Sequence, residues 1–271
     1  MKNDAGIEIF EGFKIKYPEY SVITPQTLRE FTIRTLTVSE EEVLKSSMLT
    51  PNKLASHLNK VIFDCLTKKP DDIKTYDDFL NKLTVKDRDA LMFGLYHATY
   101  KDIQNYEITC ASCNAQNSVK INFEKSFKAV MWPKDDVPVL DKEVKVPLEI
   151  AKNITAVLKQ TRLVTEDSFL SDAAFASDEV RDMQLQLLII DRFEVDPGGK
   201  NPIVTYEDRD NIYEGYKQLP STDRKLIEKA YADNFGKYGT EIKADVICQK
   251  CGARTSVTID LVRQFFRAMY Q

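Results

Sequence analysis

Two short stretches decide how this chain is read. The first is Tyr106-Glu107-Ile108-Thr109-Cys110-Ala111-Ser112-Cys113-Asn114-Ala115, and the second is Ala244-Asp245-Val246-Ile247-Cys248-Gln249-Lys250-Cys251-Gly252-Ala253. Each has an alternating, strand-like lead-in to a C-x-x-C pair. Each exits into another strand-like run, Ser118 to Phe123 and Ser256 to Leu261. Two residues between cysteines let both thiolates turn inward on one tight loop. Asn114 and Gly252 follow the second cysteine, where a left-handed backbone is wanted. One such knuckle supplies half of a tetrahedral zinc shell, with Zn–S bonds of about 2.3 Å, and a second knuckle completes a closed site. Cys110, Cys113, Cys248 and Cys251 are therefore the expected metal ligands, and structural zinc the expected cofactor. A catalytic zinc is disfavoured, because four thiolates leave no open position for water.

Other readings of the knuckles compete. A thioredoxin-like redox pair calls for strand, C-x-x-C, helix, whereas strands follow here. Disulfides within each pair do not suit a reducing cytosol. Pairs without metal, and ligands drawn from separate chains, stay open beside the shared site. Cys65, within Val61-Ile62-Phe63-Asp64-Cys65-Leu66, reads as a small buried apolar residue.

Composition narrows the function. The 271 residues include only 9 glycines and 2 histidines, His57 and His97. No G-x-G-x-x-G or G-x-x-x-x-G-K-[ST] occurs, so a phosphate-cradling loop is not expected. No H-E-x-x-H and no G-x-S-x-G occurs either. The net charge of −4 argues against a nucleic-acid binder. The start of the chain leads into no apolar signal segment, and the longest apolar run, Leu187 to Ile190, is far short of the roughly 20 residues that span a bilayer. A cytosolic site of synthesis is expected. Acidic clusters such as Glu40-Glu41-Glu42 and Asp71-Asp72 read as helix N-termini and solvated loops, and His97 as a partly buried structural residue. Trp132 is expected to pack where it stands, between the two copies described next.

The knuckles also resemble each other beyond the cysteines, which points to an internal duplication. Val38-Ser39-Glu40-Glu41 matches Val164-Thr165-Glu166-Asp167 at an offset of 126, and Asp64 matches Asp191 at 127. Thr75-Tyr76-Asp77-Asp78 matches Thr205-Tyr206-Glu207-Asp208 at 130, Asp87-Arg88 matches Asp223-Arg224 at 136, and the cysteines match at 138. An offset that only grows is what loop insertions in a second copy produce. One repeat then reads as a strand (30–34), a helix starting at the capping pattern Ser39-x-x-Glu42, a helix over 54–66, a helix over 86–100, and the knuckle. Thr165 opens the matching helix in the second copy, whose further helices are expected over 179–190 and from Thr222. A helix over 261–270 ends the chain. The expected fold is α+β and mainly helical, with two tandem related α+β repeats joined by a zinc-ribbon-like pair of knuckles. The expected divisions are an N-terminal arm (1–22), repeat 1 with the first knuckle (23–140), and repeat 2 with the second knuckle and the C-terminal helix (141–271). The arm alternates like a strand at Ile7, Ile9, Phe10, Phe13 and Ile15 and is a candidate contact surface.

Three pieces together carry a family resemblance: Leu36-Thr37-Val38-Ser39-Glu40-Glu41-Glu42, Asp87-Arg88-Asp89-Ala90-Leu91, and the knuckle at Cys110. Their order resembles the baseplate hub and hub-assembly proteins of T4-type contractile-tailed phages, best over residues 30–125 and more faintly over 158–262. The second copy departs from the pattern, with Lys225-Leu226 in place of Asp89-Ala90-Leu91. The resemblance implies a non-enzymatic protein, either a structural part of the virion baseplate or an assembly factor in the host cytoplasm. It implies other phage tail and baseplate proteins as partners, allows several copies in the assembly, and involves neither nucleic acid nor membrane. No catalytic residues carry over. The alternative is a cytosolic zinc-ribbon adaptor or regulator that contacts nucleic acid. An enzyme using paired carboxylates is disfavoured, because no spacing singles out a pair.

Overall fold

A computed structural model of the chain describes residues 16–47, 51–100, 104–172 and 177–269. The expected contact residues of the N-terminal arm, Ile7 to Ile15, lie outside the described residues, as does Tyr270, the last residue of the helix expected over 261–270. Helices hold the larger share of the described residues, but strands in four antiparallel sheets make α+β the accurate description.

The first half opens on a hairpin, β1 (Glu19–Ile23) and β2 (Glu30–Arg34), continues through α1 (Val38–Ser47) and α2 (Pro51–Cys65), and returns to the sheet as β3 (Leu66–Lys68). Helices α3 (Tyr76–Lys82) and α4 (Val85–Tyr100) follow. Then come β4 (Gln104–Thr109), the first knuckle, β5 (Gln116–Ile121), the one-turn helix α5 (Phe123–Ser126) and β6 (Phe127–Val130). The second half runs in a closely similar order. Its hairpin is β7 (Val144–Pro147) and β8 (Ile154–Leu158), followed by α6 (Leu163–Asp172) and α7 (Asp178–Gln186). β9 (Ile190–Val195) returns to the sheet, and β10 (Val204–Tyr206) is added at its edge. Helices α8 (Arg209–Gln218) and α9 (Ser221–Tyr231) lead to β11 (Gly239–Ile247), the second knuckle, β12 (Arg254–Ile259) and α10 (Leu261–Ala268).

Helix α4 organises the larger core. Ala90 to Tyr96 are buried without a break, so this helix is apolar on all sides, as a helix enclosed by its neighbours must be. The hairpin β1–β2 covers one side with Phe31 and Ile33. Gly94 lets it approach: a Cβ there would collide with Cγ2 of Val22. On another side Phe93 stacks on Phe127 with ring centroids 3.8 Å apart, carrying the core into β6. The C-terminal helix closes the core with Phe265, fully buried beside Tyr96 and Tyr100. The second core gathers Trp132, Ala156, Leu158, Ile190, Phe193, Ile227 and Phe235. Trp132 packs in the connection between the halves as expected, 3% exposed, with its ring 4.7 Å from that of Tyr238.

The halves interlock. β6 from the first half pairs with β11 from the second, Gly239 opposite Val130 through Ile242 opposite Phe127. Arg88 on α4 makes a two-pronged ion pair with Glu166 on α6, largely shielded from solvent. Gln26 in the first hairpin turn donates from Nε2 to the carbonyls of Phe235 and Tyr238, at 3.3 and 3.1 Å.

Several local expectations change in detail. The first helix is capped two residues earlier than the Ser39-x-x-Glu42 pattern suggests. Thr37 and Glu40 satisfy each other's backbone N–H groups, at 3.4 and 2.8 Å, because the Glu40 carboxylate is drawn back toward Arg34. Thr165 lies within the first turn of α6 rather than at its cap, since the helix already starts at Leu163. The matched tetrapeptides also differ. Thr75 and Asp78 form a capping box on α3, whereas Thr205 and Tyr206 belong to β10 and Asp208 is the cap of α8. Cys65 is fully buried and His97 half-buried, as expected.

Candidate metal centre

Both knuckles are shaped by the same backbone contacts. In the first, the Cys110 N–H donates to the Ala115 carbonyl and the Asn114 N–H to the Cys110 carbonyl, each at 2.9 Å. In the second, the Cys248 N–H donates to Ala253 and the Gly252 N–H to Cys248, again each at 2.9 Å. Asn114 has φ of 55° and Gly252 of 72°, the left-handed turn that residues of these types accept most readily. Strand pairing sets each loop on a rigid stem: Thr109 opposes Gln116 and Ile247 opposes Arg254.

The two stems bring all four expected ligands together. Their sulfurs lie within 4.8 Å of one another, with Cys110 to Cys251 at 3.8 Å and Cys113 to Cys248 at 3.7 Å. Such a donor set could hold a metal ion. Cys110 and Cys248 are buried, while Cys251 stands at the surface. The backbone makes the inner pair good thiolates. N–H groups of Ser112 and Cys113 lower the Cys110 thiol, and those of Cys251 and Lys250 bring Cys248 down to about 6. The Ala115 N–H also favours the Cys113 thiolate, but crowding by the Cys251 and Cys248 sulfurs pushes it up to about 12. Without a cation, four thiolates cannot share this volume; with one, the backbone already favours the charged form.

Sequence reading missed Asn117, which joins the knuckles directly. Its Oδ1 accepts the Gln249 N–H at 2.9 Å, its Nδ2 donates to the Ala115 carbonyl at 3.0 Å, and it is 3% exposed. The position 138 residues later, at the same place after the second knuckle, is Thr255, so the likeness of the two knuckle sequences does not mark it. Among the described residues, no helix is long and apolar enough to cross a membrane.

The family model described as T4 bacteriophage base plate protein matches residues 17–267, nearly the whole chain. No curated protein and no solved structure matches it.

Proposed function

We propose that this chain, which belongs to the T4 bacteriophage base plate protein family, is a non-enzymatic hub component or assembly factor of the tail baseplate, in which Cys110, Cys113, Cys248 and Cys251 share one structural zinc ion. The observation that carries the metal reading is the sulfur spacing. A tetrahedron with Zn–S bonds of about 2.3 Å has edges of about 3.8 Å, and the Cys110–Cys251 and Cys113–Cys248 sulfur separations are 3.8 and 3.7 Å. All four positions are thiols, so bound zinc would be closed to water, which fits a structural role. The ion would clamp the β4–β5 hairpin, which pairs with no other strand among the described residues, onto the β11–β12 hairpin. A lone two-stranded hairpin is marginal in water, and the clamp supplies what pairing does not.

The tandem reading, with a terminal arm over 1–22 and repeats over 23–140 and 141–271, is supported by the matching element order and by one shared device. Asp87 and Asp223 each hold the turn of the hairpin that opens their own half. A shared zinc ion and interlocked halves would make the protein one body that presents surfaces to other tail proteins, in the virion or during assembly in the host cytoplasm. Quantitative mass spectrometry of purified phage particles tests this role. A fixed ratio to other tail proteins identifies a component, and presence only in assembly intermediates identifies an assembly factor. Absence from both contradicts the proposal.

A further inference from the structure

The second half's sheet carries a strand that the first half's lacks. The first sheet ends at β3, whereas in the second β10 is added beyond β9. Register places Val204 of β10 and Ile154 of β8 opposite Val195, and Tyr206 and Ala156 opposite Phe193. Directly opposed residues share a face, so that face carries two apolar rows. Helix α8, with Leu219 at its end, covers the inner part, where Ile212, Leu219 and Phe193 are buried. The outer column stays open. Val204 and Tyr206 are each 42% exposed, and Ile203 just before them is 60% exposed. Among the described residues, no strand pairs with the outer edge of β10. Edge strands are ordinarily blunted by lysine or proline, and neither interrupts Val204-Thr205-Tyr206.

Between α8 and that outer column lies a groove of about 340 Å³, lined by Phe193, Val195 and Tyr206 from the sheet and by Glu214, Gly215 and Gln218 from the helix. Gly215 keeps it open. Alanine is favoured over glycine in a helix interior by about 1 kcal/mol, and a Cβ at 215 would meet only the Phe193 ring, at an ordinary 3.7 Å. Packing therefore does not require glycine here, unlike at Gly94; what the missing side chain leaves is the space of the groove. The rim is acidic. Asp196 follows β9, Glu207 and Asp208 follow β10, and Glu214 lines the groove; all four are exposed. Against them stand Lys200 in the β9–β10 loop and Lys217, which Glu214 already holds. Arg209 turns inward to the carbonyls of Ile190 and Asp191. We propose that β10 and this groove receive an extended segment of a partner protein, apolar where it meets Val204 and Tyr206 and basic at its flanks. It would add to the sheet edge and seat one apolar side chain against Phe193. A second copy of this chain would set two acidic rims against each other, so the charge selects a basic partner. The surface is separate from the cysteines and does not rest on their holding zinc.

The probe is a short synthetic peptide that alternates leucine with threonine and carries lysines at both ends. Binding to the full chain is measured by titration calorimetry, and the site by amide hydrogen exchange. The peptide should bind with a dissociation constant below about 1 mM and slow exchange over residues 203–206. The same peptide with glutamates in place of its lysines should bind about tenfold or more weakly. Glu207→Lys/Glu214→Lys, at two exposed positions, should reverse that preference. Gly215→Leu, which fills the groove, should weaken the basic peptide about tenfold or more without lowering Tm. No binding of the basic peptide, equal binding of both peptides, or an unchanged preference in the double variant would overturn the proposal. Protection of 203–206 that grows with protein concentration in the absence of peptide would also overturn it, because the occupant would then be a second copy.

Discussion

Asp87 and Asp223, 136 residues apart, each lock the turn of a hairpin from the first turn of a helix. The Asp87 carboxylate accepts the N–H groups of Gln26, Thr27 and Thr84 at 2.9 to 3.2 Å, and Asp223 accepts those of Glu149, Ile150 and Ala151 at 2.9 to 3.0 Å. Both side chains are buried. The first turn needs such a hold, because Leu28 sits there at a φ of 57°, a conformation that costs a leucine about 1–2 kcal/mol.

Replacing either aspartate with alanine strands three backbone donors. Asp87→Ala and Asp223→Ala should each lower unfolding stability by about 2–4 kcal/mol in urea titrations. Similar losses at both positions support the equivalence of the halves. A loss under about 0.5 kcal/mol at either would remove it.

Glu40 and Glu143 give the protein an acid limit. Although burial works the other way, the Arg34 guanidinium and the Thr37 N–H hold Glu40 at about 2, and Arg192 and Lys159 hold Glu143 at about 2. Both ordinarily titrate near 4.5. A lowered folded value means that the stabilisation is complete above the ordinary value and fades as pH falls toward about 2. Urea midpoints should drop over that window, and Glu40→Gln should flatten the drop. An unchanged slope in that variant would show that the Arg34 pair does not contribute.

The Arg88–Glu166 pair joins the halves away from the knuckles. Removing one partner leaves a shielded charge without its counterion, so Arg88→Met and Glu166→Met should each cost about 3–5 kcal/mol. The double substitution should recover much of that loss. Additive losses in a double-mutant cycle would mean that the pair is not coupled.

Gly94 separates propensity from packing. Alanine is a better helix former than glycine by about 1 kcal/mol, but its Cβ would strike Cγ2 of Val22 and come within 3.1 Å of Cγ2 of Ile33. Gly94→Ala should therefore lower Tm, and adding Val22→Ala, which removes the nearest obstacle, should restore part of it. A rise in Tm on Gly94→Ala would show that the hairpin can back away from α4.

The parts of this fold legible in the sequence are those with a short-range cause. The knuckles announce themselves because Asn114 and Gly252 must follow the second cysteine, and the core face of α2 recurs at helical spacing, with Leu58, Val61, Ile62 and Cys65 buried. The short strands β3, β7 and β10 carry too few residues to show an alternation, and β3 pairs with a strand more than 30 residues earlier, Leu66 opposite Ile33. Asn117 looks like any strand-edge polar residue until the second knuckle is beside it. Asp87 and Asp223 are visible as a matched pair, but their burial is not, because all but one of the N–H groups that accommodate them, that of Thr84, come from hairpin turns 60 or more residues away. The first cap moved from Ser39 to Thr37 because Arg34, outside the helix, fixes where Glu40 points.

The central claim is that one metal ion joins the two halves of a single chain. Native mass spectrometry of the freshly purified full-length protein, with elemental analysis of the same sample, measures it most directly. One zinc per monomeric chain, lost together in Cys110→Ser and in Cys248→Ser, is the predicted result. Two metal ions per chain, metal retained after loss of one knuckle, or metal found only in a dimer would contradict it.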